Sequence, residues 1–329
     1  MAYRSVTRSR NNFTAFLKKY SVSTPSAAAY KSLGLNLTDQ YWFKPKGADL
    51  NWENINLFKN EFLKQDFESA VTGNGSISSP DSNSNGELPK FWCIQDGHRL
   101  LYKQGSGPFY QQPYNEVFAS KLLDKLGYPH VPYTLAMIQN TPYSVCETFV
   151  IPDTEFIPAN DILMARKKTN SDSNYQHFFK CLEILNIGVT KDDINNMIVF
   201  DKIINNIDRH YGNFGYIRNP ETLDFIEFSP VFDNGNSLWY DTVDQEIMVR
   251  EQPAKPFRDT QDKQLKLVDG TSLPITNISQ AFIEKTVYDV FSPALEAEKV
   301  TENSLKGIIK CIGYNIQGVK SLQNSNGII

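Results

Sequence analysis

Between Phe200 and Asn213 an apolar helical run breaks off into a crowd of polar side chains, and any fold this chain adopts must place that crowd at a helix end. The segment reads Phe200-Asp-Lys-Ile-Ile-Asn-Asn-Ile-Asp-Arg-His-Tyr-Gly-Asn213. Ile203, Ile204 and Ile207 recur at three-to-four spacing and so belong on one buried face. The helix predicted over Asp192–Ile207 then stops, and Asp208, Arg209, His210 and Asn213 fall within six residues of loop. A hairpin is predicted next, with strands Phe214–Ile217 and Phe225–Phe228 turned by Arg218-Asn219-Pro220. Its second strand runs into Ser229-Pro-Val-Phe-Asp-Asn-Gly-Asn-Ser237, which leaves Asp233 just past a strand end in a turn marked by Gly235. Two carboxylates and an amide oxygen brought together in this way make a hard oxygen site suited to Mg²⁺.

The chain changes character on either side of Pro152. Before it come strand-like runs Phe91–Ile94 and Arg99–Lys103 around an Asp96-Gly97 turn. A helix over Asn115–Leu126 follows, ended by Gly127, and then a hairpin of Tyr133–Ile138 and Tyr143–Val150. After it, helices are predicted over Tyr175–Leu185, Asp192–Ile207 and from Ile278 onward. Weak helices are also expected at Asn11–Tyr20 and, with Thr24 as N-cap and Pro25 at the first helical position, at Thr24–Leu35. Residues 72–89, TGNGSISSPDSNSNGELP, are rich in Gly, Ser and Asn and read as a mobile loop. The expected architecture is α+β and two-lobed. Residues 1–46 form an appendage, 47–150 a small β-rich lobe with the Ser/Gly-rich loop at 72–90, and 151–329 a larger, mainly helical lobe. That second lobe carries the polar loop 206–213 and the turn 230–237.

The order of the polar residues matches the catalytic apparatus of protein kinases. There a catalytic-loop Asp is followed five residues later by an Asn, and a metal-binding Asp comes later still. Asp208 and Asn213 have that offset, and Asp233 lies downstream across a hairpin. Asp-x-x-x-x-Asn alone is nearly worthless as a signal; the set carries the weight. Kinases also need a strand Lys and a helix Glu upstream. Lys103 ends the strand-like Arg99–Lys103, and Glu116 opens the helix at Asn115. A loop with exposed backbone N–H groups must cradle phosphates. The stretch ending Asn85-Gly86-Glu87-Leu88-Pro89-Lys90 stands in the right place, without a G-x-G-x-x-G motif.

These residues resemble the HipA-like kinases, which include bacterial persistence toxins and related translocated kinases. In that family an N-x-D-x-H-x-x-N segment leads into a hairpin and then a P-[IFV]-[YF]-D turn, and Asn206–Asn213 and Pro230–Asp233 fit that wording. The resemblance spans about residues 80–240. It implies a protein-kinase-like fold and a serine/threonine kinase using ATP and Mg²⁺. Asp208 would be the catalytic base, with His210 bracing the loop, and Asn213 and Asp233 would bind metal. Lys103 would take the α/β-phosphates, and Glu116 would hold Lys103. Gly86 and Lys90 belong to the phosphate loop, and the backbone around Glu147 and Phe149 to the adenine hinge. The family autophosphorylates a loop serine, for which Ser82 and Ser84 are the candidates, and it implies a protein substrate and a small DNA-binding antitoxin as partners. The N-terminal 80 residues are unlike the extra subdomain of the longest members.

Composition sets outer limits. A net charge of −4 gives no global basic field for direct nucleic-acid binding, although six Lys and Arg precede the first acidic residue, Asp39. No apolar run is long enough to span a bilayer. Four scattered cysteines without a C-x-x-C pair fit reduced thiols and a cytoplasmic setting. Two other readings stand beside the kinase. One is a metal-dependent phosphohydrolase built on Asp208, His210 and Asp233. The other is a non-catalytic, pseudokinase-like nucleotide-binding or DNA-associated regulator.

Overall fold

Asp96 and Gly97 both take positive φ, 52° and 83°. A two-residue turn of that hand matches the twist of the strands it joins. It closes β1 (Lys90–Gln95) onto β2 (His98–Gln104) in antiparallel register, with Phe91 opposite Tyr102 and Lys90 opposite Lys103. The computed structural model describes residues 23–24, 26–27, 30, 33–60, 88–107, 109–188 and 191–323. The helix expected at Asn11–Tyr20, and Ser82, Ser84 and Gly86, lie outside them. Thr24 accepts the Ala27 N–H on its hydroxyl, as an N-cap does.

After a short helix α1 (Trp52–Ile55) and the β1–β2 hairpin, the order is α2 (Gln112–Leu126), β3 (Thr134–Ile138), β4 (Thr141–Glu147), β5 (Glu155–Pro158) and α3 (Ala159–Ile162). Then come α4 (Asn174–Ile184), α5 (Lys191–Ile204), β6 (Gly215–Arg218), β7 (Phe225–Phe228), α6 (Gln261–Leu265), α7 (Gln280–Glu296) and α8 (Glu302–Gln323). The strand orders are β1-β2-β4-β3 and β5-β6-β7. The chain divides into two compact units. Among the described residues, the first holds those up to 104 with 145–156 and 218–224, and the second those of 105–144, 157–217 and from 225 onward. Helix α2, expected with the first lobe, clusters with the second unit.

The second unit is built on apolar helix faces. α8 packs against α5 and α7, α7 also against α2, and α6 against α5. Phe118, Leu122 and Leu123 of α2, Phe200, Ile203 and Ile204 of α5, and Phe291 of α7 are fully buried. Full burial of a side chain of this size stabilises by about 1.5–3 kcal/mol, so the stacked helices supply the rigidity on which the polar loop rests. α2 begins three residues before the predicted start, with Pro113 in its first turn, and ends at Gly127 in the left-handed region (φ 62°). β5 was not foreseen. It borders β6 at Gly215, where an added Cβ would stand 2.1 Å from the Ile157 carbonyl.

Candidate active site

α5 delivers the polar loop. Its last turn buries Asp201 completely, and Asn205 and Asn206 behind it are buried as well. Asn206 turns the chain by hydrogen bonds in both directions. Its Nδ2 donates to Asp201 Oδ1 at 3.0 Å, and its Oδ1 accepts the Asp208 N–H at 3.0 Å. Asp208 is thereby held just past the helix end, with its side chain 30% exposed. Asn236 Nδ2 donates to Asp208 Oδ2 at 3.0 Å and Lys255 Nζ to Oδ1 at 2.6 Å.

Arg209 is the hinge-pin of the site. Its side chain is 1% exposed, and all three nitrogens donate. Nε and Nη2 grip Asp201, with Nη2 at 2.9 Å from Oδ1; Nη2 also meets Asn234 Oδ1 at 2.6 Å. Nη1 donates to the carbonyls of Asn213 at 3.0 Å and Phe232 at 2.5 Å. One buried guanidinium therefore ties the Asp208–Asn213 loop to the Asp233 turn, 20 residues further on. Burial pushes the Asp201 carboxyl up, and the Arg209 charge opposes that. Burial disfavours the charge on Arg209, but Asp201, with Asp233 and Glu116 nearby, outweighs it and raises the guanidinium.

The Asp233 turn is fixed from its other side by α2 and the chain after it. Val131 N–H donates to the Val231 carbonyl at 2.9 Å and Val231 N–H to that of Pro129 at 3.1 Å. Glu116, 1% exposed, accepts the Asn234 N–H on Oε2 at 2.7 Å. Asn115 Nδ2 donates to the carbonyls of Gly235 and Ser237, and Gln111 Nε2 to that of Leu238. Asp233 itself sits in the left-handed region, φ 56°. Asp tolerates that conformation better than most side chains, and such residues concentrate at functional sites. Asn213 Nδ2 donates to the Asp208 carbonyl at 3.3 Å.

The other predicted residues fall as follows. His210 is exposed and its Nδ1 accepts the Gly212 N–H at 3.1 Å, so the ring closes the loop on itself. Among the described residues no group of three His, Cys, Asp or Glu side chains is placed to hold a metal. Asp208, His210 and Asp233, which the hydrolase reading gathers around one ion, do not form such a group. Lys103 and Lys90 face each other in the first unit. Glu147 Oε1 accepts a hydrogen bond from His98 Nδ1 at 2.9 Å, and that bond and the carboxylate charge raise the His98 pKa. The Thr148 N–H is taken by the Arg99 carbonyl, and the Phe149 ring meets Phe156 edge-on at 5.4 Å. Arg209, Asn236 and Lys255 were not singled out from sequence. Arg209 and Asn236 stood inside the quoted segments, whereas Lys255 had no signal.

No protein-family model matches the chain. Among curated proteins it is similar to the serine/threonine-protein kinase CtkA of Helicobacter pylori, 22% identical over 174 residues. That match covers 47% of this chain and about half, 53%, of the relative's length. Among solved structures, the H. pylori proinflammatory kinase CtkA superposes with a TM-score of 0.51 at 14% identity, over 73% of this chain and 94% of the other. HipA of Shewanella oneidensis, solved with HipB and operator DNA, gives a TM-score of 0.52 at 12% identity, over 99% of this chain and 86% of its own. The fold is that of the HipA-like kinases. In this HipA-like fold Asp208, Asn213 and Asp233 occupy a loop and a turn joined by Arg209. No helix among the described residues is long and apolar enough to cross a membrane.

Proposed function

We propose that the chain is an ATP-dependent serine/threonine protein kinase of HipA-like type. The observation that carries this reading is the Arg209 brace, which brings the loop of Asp208 and Asn213 and the turn of Asp233 to one buried guanidinium. Phosphoryl transfer asks little covalent help of a protein; it needs an oriented hydroxyl and compensated phosphate charge. Asp208 is the base: the acceptor hydroxyl oxygen bonds to the γ-phosphorus and its proton passes to the Asp208 carboxylate. The bond from γ-phosphorus to the bridging oxygen breaks, and ADP leaves. The Asn213 amide oxygen and the Asp233 carboxylate are hard oxygen donors of the kind Mg²⁺ takes, completed in such sites by substrate phosphates. When bound, the ion supplies neutralisation of phosphate charge.

Lys90 and Lys103 stand directly opposite across the β1–β2 pair, so both side chains leave the same face. The ATP phosphates are assigned to this face. Adenine is assigned to the backbone near Glu147 and Phe149, and His210 to supporting the loop. Autophosphorylation at Ser82 or Ser84 and a small DNA-binding partner belong to the same proposal; the latter draws on the HipA structure solved with HipB and operator DNA. All four cysteines are unpaired, which supports a reducing, cytoplasmic setting.

Asp208→Asn tests the assignment. Expected is a loss of phosphoryl transfer of about 10²–10⁴-fold with ATP affinity kept, because a base is removed but no nucleotide contact is. Turnover at the wild-type rate would overturn it.

A further inference from the structure

Lys255 lies 47 residues beyond Asp208 in the chain, yet its ammonium is 2.6 Å from Asp208 Oδ1. It arrives on a strap, Gln252–Leu265, that is fixed by other means. Gln264, 1% exposed, donates Nε2 to the Lys255 carbonyl at 2.6 Å and accepts the Phe257 and Arg258 N–H groups on Oε1. Gln261, equally buried, donates Nε2 at 2.6 Å to the carbonyl of Asn206, two residues before Asp208. Phe257 sets its ring among Phe178, Phe214 and Tyr211. The strap is thus bolted to both the helix end and the polar loop, and its position does not depend on the lysine.

The ion pair is too open to be a device for stability. Its side chains are 53% and 30% exposed, and pairs in such solvent contact contribute little. What the contact does is directional. Asn236 holds one carboxylate oxygen of Asp208 and Lys255 the other, so the plane of the carboxylate is set. The residue two beyond Asp208, His210, turns its ring nitrogen to Gly212 instead.

We propose that Lys255 is a positioning residue for phosphoryl transfer, its ammonium holding the Asp208 carboxylate in the orientation that receives the acceptor's proton. This rests on the kinase reading above. A residue acting through the base affects the rate of transfer and not the capture of nucleotide, and a small soluble amine can stand in for a side chain cut back to a methyl group. The test measures ADP release from MgATP with dephosphorylated casein as acceptor. Expected for Lys255→Ala is a fall in kcat of about 10- to 100-fold, smaller than loss of the base itself, with KM for ATP within about twofold. Added propylamine should restore part of kcat in Lys255→Ala and none in Asp208→Asn. An unchanged kcat would overturn the role, as would a raised KM with kcat preserved, an increased kcat, or a loss that amine does not repair. A wild-type chain without transferase activity would sink the kinase reading and this role together. An active wild type with an equally active Lys255→Ala would sink the role of Lys255 alone.

Discussion

Arg209 has no exposure to soften its removal. Its partner Asp201 is also 1% exposed, and three further acceptors depend on the guanidinium fork. Breaking a buried pair from one side leaves a charge without compensation and costs about 3–5 kcal/mol. Arg209→Met should lower stability by about that much in urea titration; a loss below roughly 1 kcal/mol would mean that Asp201 finds another partner or takes up a proton at little cost. At this scale the sequence showed Asp208, Asn213 and Asp233, because their offsets follow from one helix end and one hairpin. It did not show Arg209's task, since a motif gives a residue's place and not which carbonyls it reaches. Lys255 and Asn236 were illegible for a plainer reason: contact with Asp208 depends on where a strap and a turn return in space, and no local spacing encodes that.

The elements nearest the site leave little room for change. Gly215 follows Asn213 by two residues, and an added Cβ would meet the Ile157 carbonyl at 2.1 Å and Pro158 Cα at 2.8 Å. Both obstacles are backbone and cannot swing aside. Gly215→Ala should therefore push β6 from β5 and drag the Asp208–Asn213 loop with it. Overpacking of this sort costs about 1–3 kcal/mol, and here a shift of Asn213 should weaken metal-dependent nucleotide binding as well. A melting temperature and binding isotherm both equal to wild type would contradict that account of the β5–β6 approach. The β6–β7 hairpin was readable from its Asn219-Pro220 turn, and α2 from its apolar face and Gly127. The early start of α2 was missed although Pro113 marks a first helical turn. β5 was missed because four residues ending in a proline show no alternation. α6, with its Thr260 cap, is five residues long, too short for periodicity to register.

Across the whole chain, a β-rich front followed by helices suggested the fold class, and the superposition on HipA over 99% of the chain at 12% identity bears it out. So low an identity with a shared fold is what burial rules allow: apolar faces must recur, but many side chains can fill them. The division into units was less legible, because α2 is amphipathic either way and its partner α7 lies far along the chain. The most direct measurement of the central claim is calorimetric titration of ATP, with and without Mg²⁺, into the wild-type chain, Asp233→Ala and Lys103→Ala. Mg²⁺ should greatly strengthen ATP binding to the wild type, since the ion joins phosphate oxygens to protein oxygens. Asp233→Ala should remove most of that enhancement, whereas Lys103→Ala should weaken ATP in both conditions alike. An Asp233→Ala chain that keeps the full Mg²⁺ enhancement would contradict the assignment of the Asp233 turn as the metal site, and with it the kinase reading.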